Sequence, residues 1–314
     1  MTTPRTLRDT LATLSGVTAT RARIASHLVG RERELELALA AVAAGRDLVL
    51  EGPPGTSKTT LLKAITEEWG IPLVFVEGNA DLTPAKLVGH HKPSRVLRED
   101  YSADNFVAGP LVQAMRSGGF LYIEEFNRAP EDTLNTLLTA MADRAVEVPR
   151  VGRIVAEPTF RVLASMNPYD NVGTTRLSTS ISDRLNRIVV DYQDAAAEED
   201  IVVLRTGLAG ELARRIMPDA VAVVRATRDR ADVRQGSSVR GAIDCALVVW
   251  ELAGLRGLTR PDDERYPETF YDAMTVCLSG RIRLDEAAET TPERVLREIW
   301  EDRFILDPAR AEPG

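Results

Sequence analysis

The residues best suited to chemistry in this 314-residue chain begin at Gly52. The run Gly52-Pro53-Pro54-Gly55-Thr56-Ser57-Lys58-Thr59, with Thr60 behind it, lies between a short apolar stretch and a helical pattern. A loop that turns this tightly points successive backbone N–H groups at one spot and makes a nest for an anion. A helix starting near Lys58 adds the positive end of its dipole. The Lys58 ammonium can reach the β- and γ-phosphates of a nucleoside triphosphate, and the Thr59 hydroxyl can ligate Mg2+. This is the pattern of a P-loop, and the strand–loop–helix context makes the match specific. A Gly/Pro turn that merely caps a helix does not account for the agreement of strand, loop, Lys-Thr pair and helix. One position departs from the usual pattern. Ser57 stands where Gly normally precedes the lysine, and its Cβ must fit a cramped turn, which puts nucleotide affinity at stake.

A carboxylate pair is expected near such a nest, and Phe120-Leu121-Tyr122-Ile123-Glu124-Glu125 supplies it. The apolar run reads as a buried strand whose C-terminal end, where α/β sheets bind ligands, carries both acids. Glu124 would hold Mg2+ through water, and Glu125 would orient and polarise the attacking water. Asp is commoner at the first position; Glu is one methylene longer, which bears on metal geometry and rate. Asn167 ends another strand-like run and precedes Pro168, where its amide could help position that water; Asn-Pro is also a common turn opener. Arg184, in Ser182-Asp183-Arg184-Leu185, is the candidate for a cation supplied in trans to the developing charge, with Arg176 and Arg187 as rivals. The dull alternative for Arg184 is a surface ion pair with Asp183 or Asp191. Arg240 opens a helix from which its guanidinium could fold over the nucleotide; an i,i+4 pair with Asp244 competes with that reading. His90 and His91 find no third ligand at suitable spacing, so a solvated loop is the expectation there.

Elements must hold these residues together. Helical spacing of Leu35, Leu39 and Val42 predicts a helix over Arg31–Ala44, ended by Gly45. Strands are expected at Asp47–Glu51, Pro72–Val76, Phe120–Ile123, Phe160–Met166 and Ile188–Val190. Helices run from about Lys58 to Trp69 and over the segment carrying Leu134, Leu137, Leu138 and Met141. Strands alternating with helices imply an α/β fold, a parallel sheet sandwiched between helices. Residues 92–107 and 145–157 do not fit a minimal version of it and read as insertions, the second as a β-hairpin around Pro149–Gly152. After Tyr192 helical patterns dominate. The expected organisation is therefore an N-terminal helix and linker (1–27), a nucleotide-binding core (28–192), and a small all-helical lid domain with a C-terminal tail (193–314).

Composition sets outer bounds. Acidic residues outnumber basic ones, 47 against 39, for a net charge of −8, which argues against a tight non-specific grip on nucleic acid. No apolar run approaches the roughly 18 residues of a membrane span, and no signal core follows the N-terminus. Cys245 and Cys277 lack metal-like spacing and read as reduced core residues, which suits the cytoplasm.

Taken together these residues resemble the MoxR family of AAA+ ATPases over roughly residues 28–255. The resemblance begins at Leu28-Val29-Gly30-Arg31-Glu32, similar to the family's opening segment beside the adenine. It continues through GPPGTSKT and Phe106–Leu111, is most specific at Glu124-Glu125-Phe126-Asn127-Arg128-Ala129-Pro130, and ends with Asn167-Pro168, Asp183-Arg184 and Ser238-Val239-Arg240 in the expected order. It implies an AAA+ αβα core with β-hairpin insertions and a helical lid. It also implies ATP and Mg2+ as ligands, Gly30 and Arg31 among the nucleotide contacts, and a homo-oligomeric, hexameric ring. Members commonly act as chaperone-like remodellers beside a von Willebrand A domain partner, inserting metals or cofactors or maturing enzyme complexes. A dedicated metal-chelatase motor, a DNA-linked AAA+ motor and a nucleotide-gated scaffold that barely turns over are the alternatives.

Overall fold

A computed structural model describes residues 17–25, 28–92, 103–168 and 177–306. The described chain divides into two compact units: one of residues up to Pro53 together with Ser57–Asp191, the other of Pro54–Thr56 and the residues from Tyr192 onward.

The first unit is built on a five-stranded parallel sheet. Its strands are β1 (Leu48–Glu51), β2 (Leu73–Glu77), β5 (Phe120–Glu124), β8 (Arg161–Met166) and β9 (Asn186–Val189), in the order β2-β5-β8-β1-β9. Alternation along the central strands fills both faces. Leu48, Leu50, Tyr122 and Leu163 point to one side, where they pack with Leu35, Leu39 and Ile65. Val49, Leu121, Ile123, Val162 and Ala164 point to the other, against Leu111, Met115, Leu134 and Leu137. A strand buried on both faces must be apolar throughout, which is why these segments read as continuous hydrophobic runs. The covering helices are α1 (Val17–Ala25), α2 (Glu32–Ala43), α3 (Lys58–Glu68), α4 (Pro84–Val88), α5 (Pro110–Ser117), α6 (Glu131–Asp143) and α7 (Thr179–Ser182). Pro84 and Pro110 sit in the first turn of their helices, where the missing N–H costs nothing. Glu131 and Asp132 place negative charge at the positive end of α6.

Two antiparallel ribbons stand off this core. β6 (Ala145–Val148) pairs with β7 (Gly152–Val155), closing at Val148 opposite Gly152, with Arg150 left-handed in the turn. This is the expected hairpin. The other joins β3 (Gly89–His91) to β4 (Phe106–Ala108). His90 and His91 therefore lie in a strand, not in a solvated loop, and His91 packs on the Phe106 ring with centroids 5.5 Å apart. Residues 93–102 of the expected first insertion lie outside the described residues.

The second unit carries α8 (Ala195–Thr206), α9 (Glu211–Asp229), α10 (Val239–Leu255), α11 (Tyr266–Leu278) and α12 (Pro292–Phe304). Cys245, Val249, Tyr266, Phe270 and Trp300 belong to its apolar core. Buried Glu198 is held by Arg225 at 3.2 Å and Arg228 at 2.7 Å, so its charge is compensated. The expectation of an all-helical lid needs one correction. β10 (Val233–Gln235) and β11 (Arg283–Leu284) form a two-stranded antiparallel ribbon. Segments of three and two residues are too short to show a period-two pattern, so only the pairing reveals them. Among the described residues no helix is long and apolar enough to cross a membrane.

Candidate nucleotide site

The C-terminal edge of the sheet gathers the predicted chemistry. β1 runs into the loop at Gly52, whose N–H donates to Met166 O at 3.1 Å, so Gly52 lies beside Asn167 at the end of β8. A Cβ at Gly52 would collide with the Val190 carbonyl oxygen, which makes glycine obligatory there. The loop ends at Ser57, which is left-handed at φ 64° and caps α3. That conformation explains why Gly is the usual residue; the serine accepts a backbone penalty on the order of 1 kcal/mol, and the loop still forms.

Lys58 Nζ donates to Gly52 O at 2.8 Å and to Pro53 O at 2.7 Å. The ammonium is thus held against the loop by neutral carbonyls, contacts that the oxygens of an anion would outcompete. Thr59 Oγ1 donates to Glu124 Oε1. A hydroxyl and a carboxylate in contact form a hard oxygen pair of the kind Mg2+ takes, so the residues fit the implied metal. Glu125 follows with φ 51°, a left-handed conformation rare for a side-chain-bearing residue, and its Oε2 lies 3.3 Å from Arg128 Nε. Such strain concentrates at functional sites. Gly78, at the end of β2, leaves room for this turn: a Cβ there would overlap the Glu125 carbonyl oxygen. Asn127 donates from Nδ2 to Asn167 O at 3.1 Å, tying the segment after the acids to the end of β8.

Two groups here escaped the sequence reading. Tyr122, fully buried, places its hydroxyl 3.0 Å from Thr59 Oγ1 and 2.8 Å from Ser165 Oγ. Burial, reinforced by the nearby Glu124 and Glu125, pushes its pKa up to about 12, so it remains a neutral hydroxyl through the working pH range. A tyrosine in an otherwise apolar strand ending in Glu-Glu was the available signal. The second is Arg128, which reaches Glu125 one turn away. Removing the phenolic oxygen should loosen Thr59. The Tyr122→Phe variant is expected to need roughly 5- to 10-fold more Mg2+ for half-maximal ATPase, the equivalent of one ~1 kcal/mol hydrogen bond, with folding intact. A magnesium titration of turnover checks this.

The other predicted residues do not all converge on the Thr59–Glu124 contact. Gly30 is left-handed at φ 64°, and Arg31 is buried, donating from Nη2 to Asp191 O at 2.6 Å and pairing with Glu34 at 3.0 Å. These bonds tie the segment before α2 to the end of β9. Thr56 is buried and Thr60 exposed. Within the second unit, to which Pro54–Thr56 belong, a Cβ at Gly55 would run into Ser238 Oγ, with Arg240 Cγ 3.8 Å away. Arg240 is exposed, and Asp244 pairs with Arg281 rather than with Arg240. Arg184 is exposed at the far, N-terminal end of the sheet, its Nη1 donating to Ser180 O at 3.1 Å. Arg187 is engaged with Glu51 at 3.0 Å, and Arg176 lies outside the described residues. Among the described residues no three His, Cys, Asp or Glu side chains gather as a metal cage.

The AAA domain (dynein-related subfamily) matches residues 47–185, from the start of β1 to the turn after Arg184. The gas vesicle ATPase GvpN of Ancylobacter aquaticus is 31% identical over 248 residues, covering 74% of this chain and 67% of that protein. GvpN2 of Halobacterium salinarum is 28% identical, covering 83% of this chain and 75% of that protein. The uncharacterized protein YojN of Bacillus subtilis is 29% identical, covering 73% and 77%. Among solved structures, NtrX from Brucella abortus in complex with ADP superposes with a TM-score of 0.55 at 21% identity, over 90% of this chain and 64% of that one. At that identity the likeness speaks for the fold.

Proposed function

The chain belongs to the AAA domain ATPases of the dynein-related subfamily, and from that premise we propose that it is a MoxR-type remodeller that hydrolyses MgATP between neighbouring copies of itself. The observation that carries the reading is the convergence of Lys58, Thr59, Glu124 and Asn167 at one sheet edge, with Thr59 and Glu124 in direct contact. In one copy, the loop from Gly52 to Thr60 cradles the phosphates, and Gly30 and Arg31 frame the adenine. Thr59 and Glu124 hold Mg2+, which supplies charge neutralisation at the phosphates when bound. Glu125 takes the proton of the attacking water while Asn167 orients that water, and Arg240 reports the nucleotide to the helical unit. Arg184 comes from the next copy, which accounts for its exposure at the opposite end of the sheet. Head-to-tail contacts of this kind can close into a ring, and the MoxR resemblance implies a hexamer.

Hydrolysis then moves the helical unit and the two ribbons against a protein client, in concert with a von Willebrand A domain partner in the cytoplasm. The similarity to ATPases named for gas vesicles, together with the net charge of −8, favours this reading over a DNA-linked motor. Magnesium-dependent ATP hydrolysis by the full chain, rising with protein concentration as rings form and indifferent to duplex or single-stranded DNA, is the expected result. Absence of adenine nucleotide uptake by calorimetry with Mg2+ present would overturn the reading.

A further inference from the structure

At the opposite edge of the sheet from the P-loop lies a cavity of about 800 Å3. Arg46, Asp47, Arg144, Arg161, Asp183 and Arg184 contribute its charged lining. It opens where β1, β8 and β9 begin, so the parallel sheet itself brings together residues from distant parts of the chain. The lining carries four guanidiniums against two carboxylates.

None of the four arginines makes an ion pair with an acid among the described residues. Arg144, Arg161 and Arg184 bond to main-chain oxygens, and Arg144 also lies over the Phe160 ring, 5.0 Å from its centroid. Arg161 Nη1 donates to Pro158 O at 2.9 Å and to Phe160 O at 2.5 Å, Arg144 Nη2 to Glu157 O at 3.1 Å, and Arg184 Nη1 to Ser180 O at 3.1 Å. The Asp47 carboxylate is occupied by the Val162 N–H at 2.7 Å. Arg161 Nε is buried and has no hydrogen-bond partner. Burial lowers the pKa of both Arg144 and Arg161; for Arg161 the nearby Arg144 adds to the effect, and in both the Asp47 carboxylate opposes it. Asp47 sets one negative charge against these two partly desolvated cations, and the pair stays costly unless a further anion shares the space. The backbone makes room for them at a specific point. Gly45 has φ 72°, and a Cβ there would stand 2.5 Å from Arg161 Nη2.

Capping of the 157–160 turn explains the carbonyl contacts of Arg144 and Arg161. It does not explain the vacant Nε, the surplus of positive charge or the cavity. We propose that this cavity is a second anion site, which takes a multiply charged phosphate group between Arg144 and Arg161, with Arg46 and Arg184 at its mouth. Planar guanidiniums with free N–H groups suit phosphate oxygens. The phosphate can come from solution or from the nucleotide of a neighbouring copy. In the second case the inference rests on, and deepens, the trans role given to Arg184.

The two sources are separated by experiment. In the Lys58→Ala chain, whose P-loop is disabled, inorganic pyrophosphate is titrated at low ionic strength and followed by calorimetry. One site per chain is expected, weakened at least 10-fold by Arg161→Gln, less by Arg161→Lys, and about 3-fold by Arg46→Gln, whose exposed side chain bears no packing. For a neighbour's nucleotide, free pyrophosphate does not bind. Instead Arg144→Gln/Arg161→Gln chains, slowed at least 10-fold on their own, regain ATPase several-fold when mixed with Lys58→Ala chains, each mutant supplying what the other lacks. Either result supports the site. It is overturned if Lys58→Ala binds pyrophosphate equally with and without Arg161, or if neither uptake nor rescue occurs while the unmodified chain hydrolyses ATP. That last result would leave the proposed ATPase reading standing.

Discussion

Glu125→Gln is expected to bind ATP as tightly as the unmodified chain and to hydrolyse it at least about 100-fold more slowly, the usual scale for losing a positioned general base. Glutamine has the same shape and length, so the left-handed turn at φ 51° and the packing after β5 survive. What disappears is the carboxylate that would accept a proton from water. Binding should be spared because Lys58 and the Thr59–Glu124 pair, the proposed phosphate and Mg2+ contacts, do not depend on Glu125. Fluorescent-nucleotide binding together with a phosphate-release assay separates the two quantities. Full turnover in this variant would refute the role. The same chain, locked with ATP, is the bait of choice for the client, since it should hold the ring in its loaded state.

Arg184→Ala should lower turnover by about 1,000-fold, the lower end of what an arginine supplied in trans contributes to phosphoryl transfer, while ATP affinity changes little. The prediction turns on where the side chain sits. Arg184 lies at the N-terminal end of the sheet, whereas the P-loop follows the C-terminal end of β1. On the proposed reading it serves a neighbour's nucleotide and not its own. Mixed with Glu125→Gln chains, Arg184→Ala chains should recover part of the lost activity, because interfaces form in which an intact Glu125 faces an intact Arg184. Arg187→Ala is the companion measurement. Its guanidinium is engaged with Glu51, so its loss should cost far less than that of Arg184. Equal losses in both variants, or no rescue on mixing, would remove Arg184 from the trans position.

Much of this was legible in the chain itself. Local signals are enough to specify a P-loop: an apolar strand, glycines where Gly52 and Gly55 must admit close neighbours, a Lys-Thr pair, then a helix. The hairpin over Ala145–Val155 was equally readable, since its turn and alternation involve adjacent residues only. Even the departure at Ser57 was visible, although not that the serine takes the left-handed conformation a glycine would.

Tertiary structure decided the rest. Tyr122 meets Thr59 across 63 positions and Ser165 across 43, contacts set by the register of β5 against β8 and by the seating of α3, none of which leaves a pattern in neighbouring residues. The same holds for the ribbon of β10 and β11, too short to announce itself. It holds also for the arginine-lined cavity, whose members come from four separate segments, three at the starts of parallel strands and one at the end of α6. Periodicity and motifs report what a residue shares with its neighbours in sequence. Convergence of side chains depends on strand order and register, which the burial of a whole sheet selects.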